Sequence, residues 1–141
     1  MENKVLNAYF EKFMFAGNAH FTLVSAKTNK HYTYHIAKKK GENMWYVKIL
    51  DHHAHQYVGY IRKVNNEYKY AKGNKGKYDM NDNRVISLMW FIRHMNDADI
   101  NDKISMYHAG RCCKCGRVLT DPKSIELGIG PECAKLAYWN V

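Results

Sequence analysis

From His20 to Ala71 apolar and polar residues largely alternate, and a period of two is the mark of strands with one buried face. His20–Ala26 alternates and stops at the polar turn Lys27-Thr28-Asn29-Lys30. His31–Lys38 sets Tyr32, Tyr34 and Ile36 on one face and His31, Thr33 and His35 on the other, before the loop Lys39-Lys40-Gly41-Glu42-Asn43. Met44–Leu50 and Tyr57–Lys63 are rich in aromatic and β-branched residues and are joined by Asp51–Gln56. After Val64-Asn65-Asn66, Glu67–Ala71 predicts a short fifth strand. Strands this dense, divided by short polar turns, predict a twisted antiparallel sheet.

Downstream the period changes. Lys72–Met80, rich in glycine and lysine, has no periodicity and predicts a loop. Over residues 84–95, Val85, Leu88, Met89 and Ile92 recur at helical spacing, Ile86, Trp90 and Phe91 widen the stripe, and Asp82 or Asn83 supplies the N-cap. Such a helix packs across one face of a sheet. Phe10, Phe13, Met14 and Phe15 fit a short amphipathic helix within residues 1–16, ended by Gly17. Ile104–Tyr107 predicts a strand leading into a C-terminal lobe. The expected fold class is α+β: an antiparallel sheet of about five strands packed with a helix over residues 1–103, then a small lobe over 104–141.

The lobe carries the candidate chemistry. His108, Cys112, Cys115 and Cys133 form His-x3-Cys-x2-Cys-x17-Cys, a ligand set for one tetrahedral Zn²⁺ of structural, closed type. A C-x-x-C turn lets two thiolates face one ion, and Gly116 tolerates the backbone just behind it. Gly130-Pro131 reads as a helix start, so Cys133 falls in a first helical turn, where the positive end of the macrodipole favours thiolate. Cys113 competes with His108 for the fourth position, although neighbouring cysteines point in different directions. Three cysteines within four residues argue against a disulfide framework. Cys112–Arg117 as a knuckle, Val118-Leu119 opening a hairpin, a turn at Thr120–Lys123 and a helix over Pro131–Tyr138 make a treble-clef-like arrangement.

Charge adds a second feature. The net charge is +9, and nearly all the excess lies in residues 1–80, outside the lobe. A basic surface attracts nucleic acid or acidic protein surfaces. The sheet tyrosines Tyr32, Tyr34, Tyr46, Tyr57, Tyr60, Tyr68 and Tyr70, with Lys38, Lys48, Arg62, Lys63 and Lys69 nearby, fit base stacking, and fit half-buried strand packing as well. No apolar run approaches the roughly 20 residues that span a bilayer. No secretory leader is read at Met1–Lys4, so the expected compartment is the cytoplasm.

Catalytic patterns are sparse. The chain has no G-x-S-x-G, no Walker loop and no H-E-x-x-H. Asp51-His52-His53-Ala54-His55 invites a metal-dependent nuclease reading, with Asn65 and His94 as its further residues. A polar hairpin loop explains the tract more simply. His20, His31 and His35 read as surface residues of the sheet, and the chain is expected not to be an enzyme.

The stretch His108-Ala-Gly-Arg-Cys-Cys-Lys-Cys-Gly-Arg-Val-Leu-Thr-Asp-Pro-Lys-Ser-Ile, with Gly128-Ile-Gly-Pro-Glu-Cys133, resembles a small zinc-binding domain of unknown function found in phage and prophage proteins. His108, Cys112, Cys115 and Cys133 match its pattern, and Cys113 falls where that pattern varies. The β-rich part upstream is similar to what such proteins carry before the lobe, more loosely. The resemblance implies a phage accessory protein in the bacterial host cytoplasm, of the kind that includes zinc-containing inhibitors of type II CRISPR effectors. A monomer that binds a host protein such as a Cas effector stoichiometrically, and blocks its nucleic-acid loading, is the expected function. Lys38, Lys39, Lys40, Tyr46, Arg62 and Lys69 are its candidate contacts. A nucleic-acid-binding zinc protein of phage DNA metabolism is the alternative, and a nuclease is the weakest of the three.

Overall fold

The computed structural model describes residues 3–137 and 139. Its centre is one antiparallel sheet of seven strands in the order β1-β7-β2-β3-β4-β5-β6. The strands are β1 (Lys4–Val5), β2 (Asn18–Ser25), β3 (His31–Lys38), β4 (Met44–Asp51), β5 (Ala54–Val64), β6 (Glu67–Lys72) and β7 (Ile104–His108). The five strands read from alternation form the meander β2 to β6. The turns between β4 and β5 and between β5 and β6 have two residues each, His52-His53 and Asn65-Asn66, all at positive φ. That is type I′ geometry, whose twist matches the flanking strands.

The helices are α1 (Phe10–Met14, entered through a 3₁₀ turn at Asn7–Tyr9), α2 (Asn83–His94), α3 (Ile100–Lys103), α4 (Pro122–Leu127) and α5 (Pro131–Leu136). Asp82 caps α2, its carboxylate accepting from the Arg84 amide at 2.9 Å. Val85, Leu88, Phe91 and Ile92 of α2, with Phe10, Phe13 and Met14 of α1, pack on the inner face of the sheet. That face presents Phe21, Tyr34, Ile36, Val47, Ile49 and Ile61, each 1 % exposed or less. Burying side chains of this size contributes about 1.5–3 kcal/mol each, so this layer fixes the helices.

Two expectations are refined. Thr120–Lys123, read as a turn, opens α4 instead: Asp121 caps it by accepting from Ser124 N at 3.2 Å, and Pro122 takes the first helical position. β7 pairs with β1 on one side and β2 on the other, so the segment expected to lead into a lobe is an interior strand. Residues before and after the expected boundary at 103/104 share one hydrophobic core, which includes Leu127, Ile129 and Ala134. Tyr138, the expected end of the last helix, lies outside the described residues. No helix among the described residues is long and apolar enough to cross a membrane.

Candidate metal centre and open sheet face

Behind β7, Gly110 at φ 78° turns the chain, and the knuckle follows. Cys112 N donates to Arg117 O at 2.8 Å, and Gly116 N returns to Cys112 O at 2.9 Å. Gly116 holds φ 80°, a conformation that L side chains rarely adopt, and a Cβ there would lie 2.6 Å from the side-chain amide of Asn18, which would have to move aside. Gly130, before Pro131 of α5, donates its amide to Cys112 Sγ at 3.4 Å. Cys133 therefore faces the knuckle from the first turn of α5.

The Sγ atoms of Cys112, Cys115 and Cys133 all lie within 4.8 Å of one another. Thiolates at about 2.3 Å around one tetrahedral ion stand about 3.8 Å apart, so this trio can hold a metal ion. Burial works against ionisation of Cys112, but main-chain donors at Cys115, Gly130 and Lys114 outweigh it and hold the thiol below its ordinary range. Burial, then hydrogen bonding with the Cys112 and Cys115 thiols, pushes Cys133 up to about 12. A thiol so reluctant to ionise beside its neighbours is one that a bound cation would deprotonate.

His108 does not join the three cysteines. It is 5 % exposed; its Nε2 donates to Ile125 O at 2.6 Å, while Nδ1 accepts from Gly110 N at 2.9 Å. With one nitrogen carrying a proton and the other's lone pair engaged, the imidazole latches β7 to α4. Burial holds it below its usual pKa, against the Ile125 bond, in keeping with a neutral ring. Cys113 stays apart as well. Its thiol is fully buried and pushed up by that burial, while its carbonyl accepts from Asn18 N at 2.7 Å and its amide donates to Gly128 O at 3.0 Å.

The other face of the sheet is open, because both main helices lie on the inner face. Its strand positions include His20 and Thr22 of β2, Thr33 and His35 of β3, Tyr46 and Lys48 of β4, Tyr57, Tyr60 and Arg62 of β5, Lys69 of β6 and Tyr107 of β7, none of them buried. Tyr57 and Tyr60, three apart, would face opposite ways on a regular strand. A bulge opposite Val47/Lys48 pairs Tyr60 with Tyr46 and Tyr57 with Lys48, which puts both tyrosines on this face. Gly59 permits it, since a Cβ there would meet Ala71 O at 2.2 Å. Arg62 lies 5.5 Å over the Tyr60 ring, and the Tyr46 and Tyr57 rings meet edge-on at 6.3 Å. Glu67, at the corner beside Lys69, is the one carboxylate on the outward strand positions.

The expected contact residues divide between this face and its rim. Tyr46, Arg62 and Lys69 lie on it. Lys39 and Lys40 sit exposed in the β3–β4 turn, where Lys39 pairs with Glu42 at 2.9 Å. Lys38 ends β3 with its ammonium 6.0 Å from the Trp45 ring. Of the tyrosines read as stacking candidates, Tyr57 and Tyr60 also lie on the open face, whereas Tyr34 is buried in the core and Tyr32, Tyr68 and Tyr70 pack against it from the inner face; Tyr107 joins the open face without a signal in the sequence.

The same face gathers three of the histidines. His20 and His35 stack at 3.9 Å, with His55 about 6 Å from each. Burial first, then His20, His55 and Lys48, holds the His35 imidazole down at about 4. The nuclease constellation is not assembled. Asp51 accepts from the Tyr78 hydroxyl and lies 3.5 Å from Arg84, while Asn65 is at the far end of the eleven-residue β5, about 30 Å away at strand rise. His94 pairs with Asp97 at 2.8 Å.

A model for a family of unknown function (DUF6011) matches residues 106–138, a stretch that begins within β7 and takes in the knuckle, α4 and α5. No curated protein and no solved structure matches the chain.

Proposed function

We propose that the chain is a non-enzymatic binding protein that takes single-stranded nucleic acid on the open sheet face, while zinc at the three cysteines braces the C-terminal segment in a treble-clef-like arrangement. The clustering of Tyr46, Tyr57 and Tyr60 beside Lys48, Arg62 and Lys69 carries this reading. Bases stack on tyrosine without regard to sequence, and cations spaced between the rings neutralise phosphates. A face with one carboxylate at its corner offers a polyanion little repulsion.

The host-effector reading uses the same face differently. A nucleic-acid channel in an effector is itself positive, so a basic inhibitor would have to dock on an acidic surface of that protein. The sign of the charge favours the nucleic acid as the direct ligand. The setting of a phage protein in a bacterial cytoplasm suits both readings.

Anisotropy of a labelled single-stranded oligonucleotide tests the choice. Binding should weaken steeply with salt, and Tyr60→Ala should lower affinity by roughly five- to hundredfold, the worth of one stacked base. Arg62→Glu should flatten the salt slope by about 0.7 for each phosphate left without its cation. No binding to the oligonucleotide, together with a one-to-one complex with a purified type II CRISPR effector, would replace this reading with the inhibitor.

A further inference from the structure

We infer that the histidine group on the open sheet face is a site for a phosphate monoester, the group that ends a nucleic-acid strand. The inference deepens the nucleic-acid reading of this face and rests on it for the source of the phosphate. Register carries the first part of the argument. His20 of β2 pairs with His35 of β3, His35 with Lys48 of β4, and Lys48 with Tyr57 of β5. These side chains form one row across the face, about 14 Å long at the spacing of neighbouring strands, so the histidines adjoin the tyrosines directly. His55 lies in the next row, opposite Leu50. It is about 6 Å from His20 and from His35, which themselves stack at 3.9 Å. Two exposed permanent cations border the rings: Lys48 beside His35, and Arg111, close enough for its charge to act on His20.

Three imidazoles together suggest a metal, but this arrangement opposes one. The His20 and His35 planes are 10° from parallel, so their lone pairs run side by side and do not converge on one point. His35 Nε2 donates to Asn18 Oδ1 at 2.6 Å, and Lys48 and Arg111 repel a dication. An anion meets the opposite situation. Each ring gains a second N–H when protonated, and Lys48 and Arg111 add donors of their own. A phosphodiester or a carboxylate offers two free oxygens and about one charge, whereas a phosphate monoester offers three and a charge of about −1.5 to −2. Donors arriving from β2, β3, β4 and β5 match the monoester. Toward β7, a cleft of about 620 Å³ lies along Thr22, His31, Thr33 and Tyr107. It has room for the sugar and base attached to the phosphate.

Protons follow the ligand. In the empty site burial comes first in lowering both rings, with His55 and Arg111 adding to it at His20, and His20, His55 and Lys48 adding to it at His35. A bound dianion reverses the sign of the field, so the rings take protons from solvent as it arrives. Binding therefore strengthens as pH falls toward about 6. Below that the monoester itself gains a proton, and binding weakens.

Inorganic phosphate is the first probe. The imidazole C–H resonances of the full chain are followed against pH with phosphate, or with chloride at equal ionic strength. Phosphate should raise the His35 midpoint by about one unit, which is a tenfold difference in affinity for the two ring states, and chloride should not. The second probe is one internally labelled single-stranded oligonucleotide with a 5′-phosphate, a 3′-phosphate or hydroxyl ends, compared by anisotropy. A phosphorylated end should bind about tenfold tighter than hydroxyl ends near pH 6, with a smaller advantage at about pH 8. His20→Ala and His55→Ala should each reduce that ratio, whereas a variant that merely unfolds loses all affinities together. Resonances that answer phosphate no more than chloride overturn the inference. So does a response to Zn²⁺ beyond the first equivalent with none to phosphate, which makes the group a metal site. Equal affinities for all ends, with the phosphate response retained, keep the site and assign it to free phosphate monoesters. If no oligonucleotide binds, the wider reading of the face falls, and the phosphate titration still decides this one.

Discussion

Tyr34, at the centre of β3, donates its hydroxyl to the main-chain carbonyl of Arg84 at 2.7 Å. The ring is fully buried in the core, and its polar tip reaches the first turn of α2. One side chain thus sets both the depth and the rotation of the helix over the sheet. Arg84 extends the arrangement outward, its guanidinium lying 3.6 Å over the Tyr78 ring and gripping Asp82 through two hydrogen bonds.

Tyr34→Phe keeps the ring and removes the bond. It should lower stability by about 1–2 kcal/mol, seen as a fall of roughly 3–6 °C in the thermal midpoint. Secondary structure should be retained. An unchanged midpoint would show that the hydroxyl does not fix the helix.

Gly59 is required by the approach of β6. In Gly59→Ala the added methyl meets a main-chain carbonyl, not a flexible tip, so the strand must shift. The expected loss is about 1–3 kcal/mol by denaturant unfolding, with oligonucleotide binding weakened in the fraction that folds, because the bulge also aims Tyr57. Full stability with intact binding would place the bulge elsewhere.

Purified protein should carry about one zinc per chain. Cys112→Ser, Cys115→Ser and Cys133→Ser should each lose most of it, and a chelator should lower the melting temperature of the unaltered protein, since metal binding is coupled to folding. Cys113→Ser should retain the metal. Elemental analysis beside a thermal melt reads both effects, and metal lost only in Cys113→Ser would reassign the site.

Acid should destabilise the fold through His35. Its folded pKa of about 4 lies below the ordinary 6.5, so between those values the unfolded chain binds a proton that the folded chain refuses. Stability therefore falls as pH drops from about 6.5 to 4. His20, also lowered chiefly by burial, acts in the same direction. His35→Asn should flatten the dependence in that window, read from midpoints across pH. Bound phosphate favours the charged rings, so oligonucleotide affinity should rise as stability falls.

The meander was legible because a single buried face imposes alternation, and α2 because its apolar stripe keeps helical spacing from end to end. Two-residue β1 carries no period at all. α4 escapes a reading of Asp121-Pro122 alone, a pair that serves a turn and a helix start equally well; the helix follows because Leu127 can be buried. The cysteine trio was readable from spacing, since all three sulfurs belong to short local structures. His108 was not, because what engages its ring is a carbonyl seventeen residues away. Likewise Asp51 looks catalytic beside His52 until Tyr78 and Arg84 close on it from other parts of the chain.

The interior position of β7 has a consequence for the growing chain. Ser25 must wait for Ile104, roughly eighty residues later, before the outer edge of its strand is paired. At about 5–20 residues per second on the ribosome that is an interval of about 4–16 s. Throughout it the nascent protein carries an unpaired β2 edge beside half-covered aromatic residues, a template for joining other chains. The last quarter of the chain is therefore what closes the first, and a product cut short before residue 104 would be expected to aggregate.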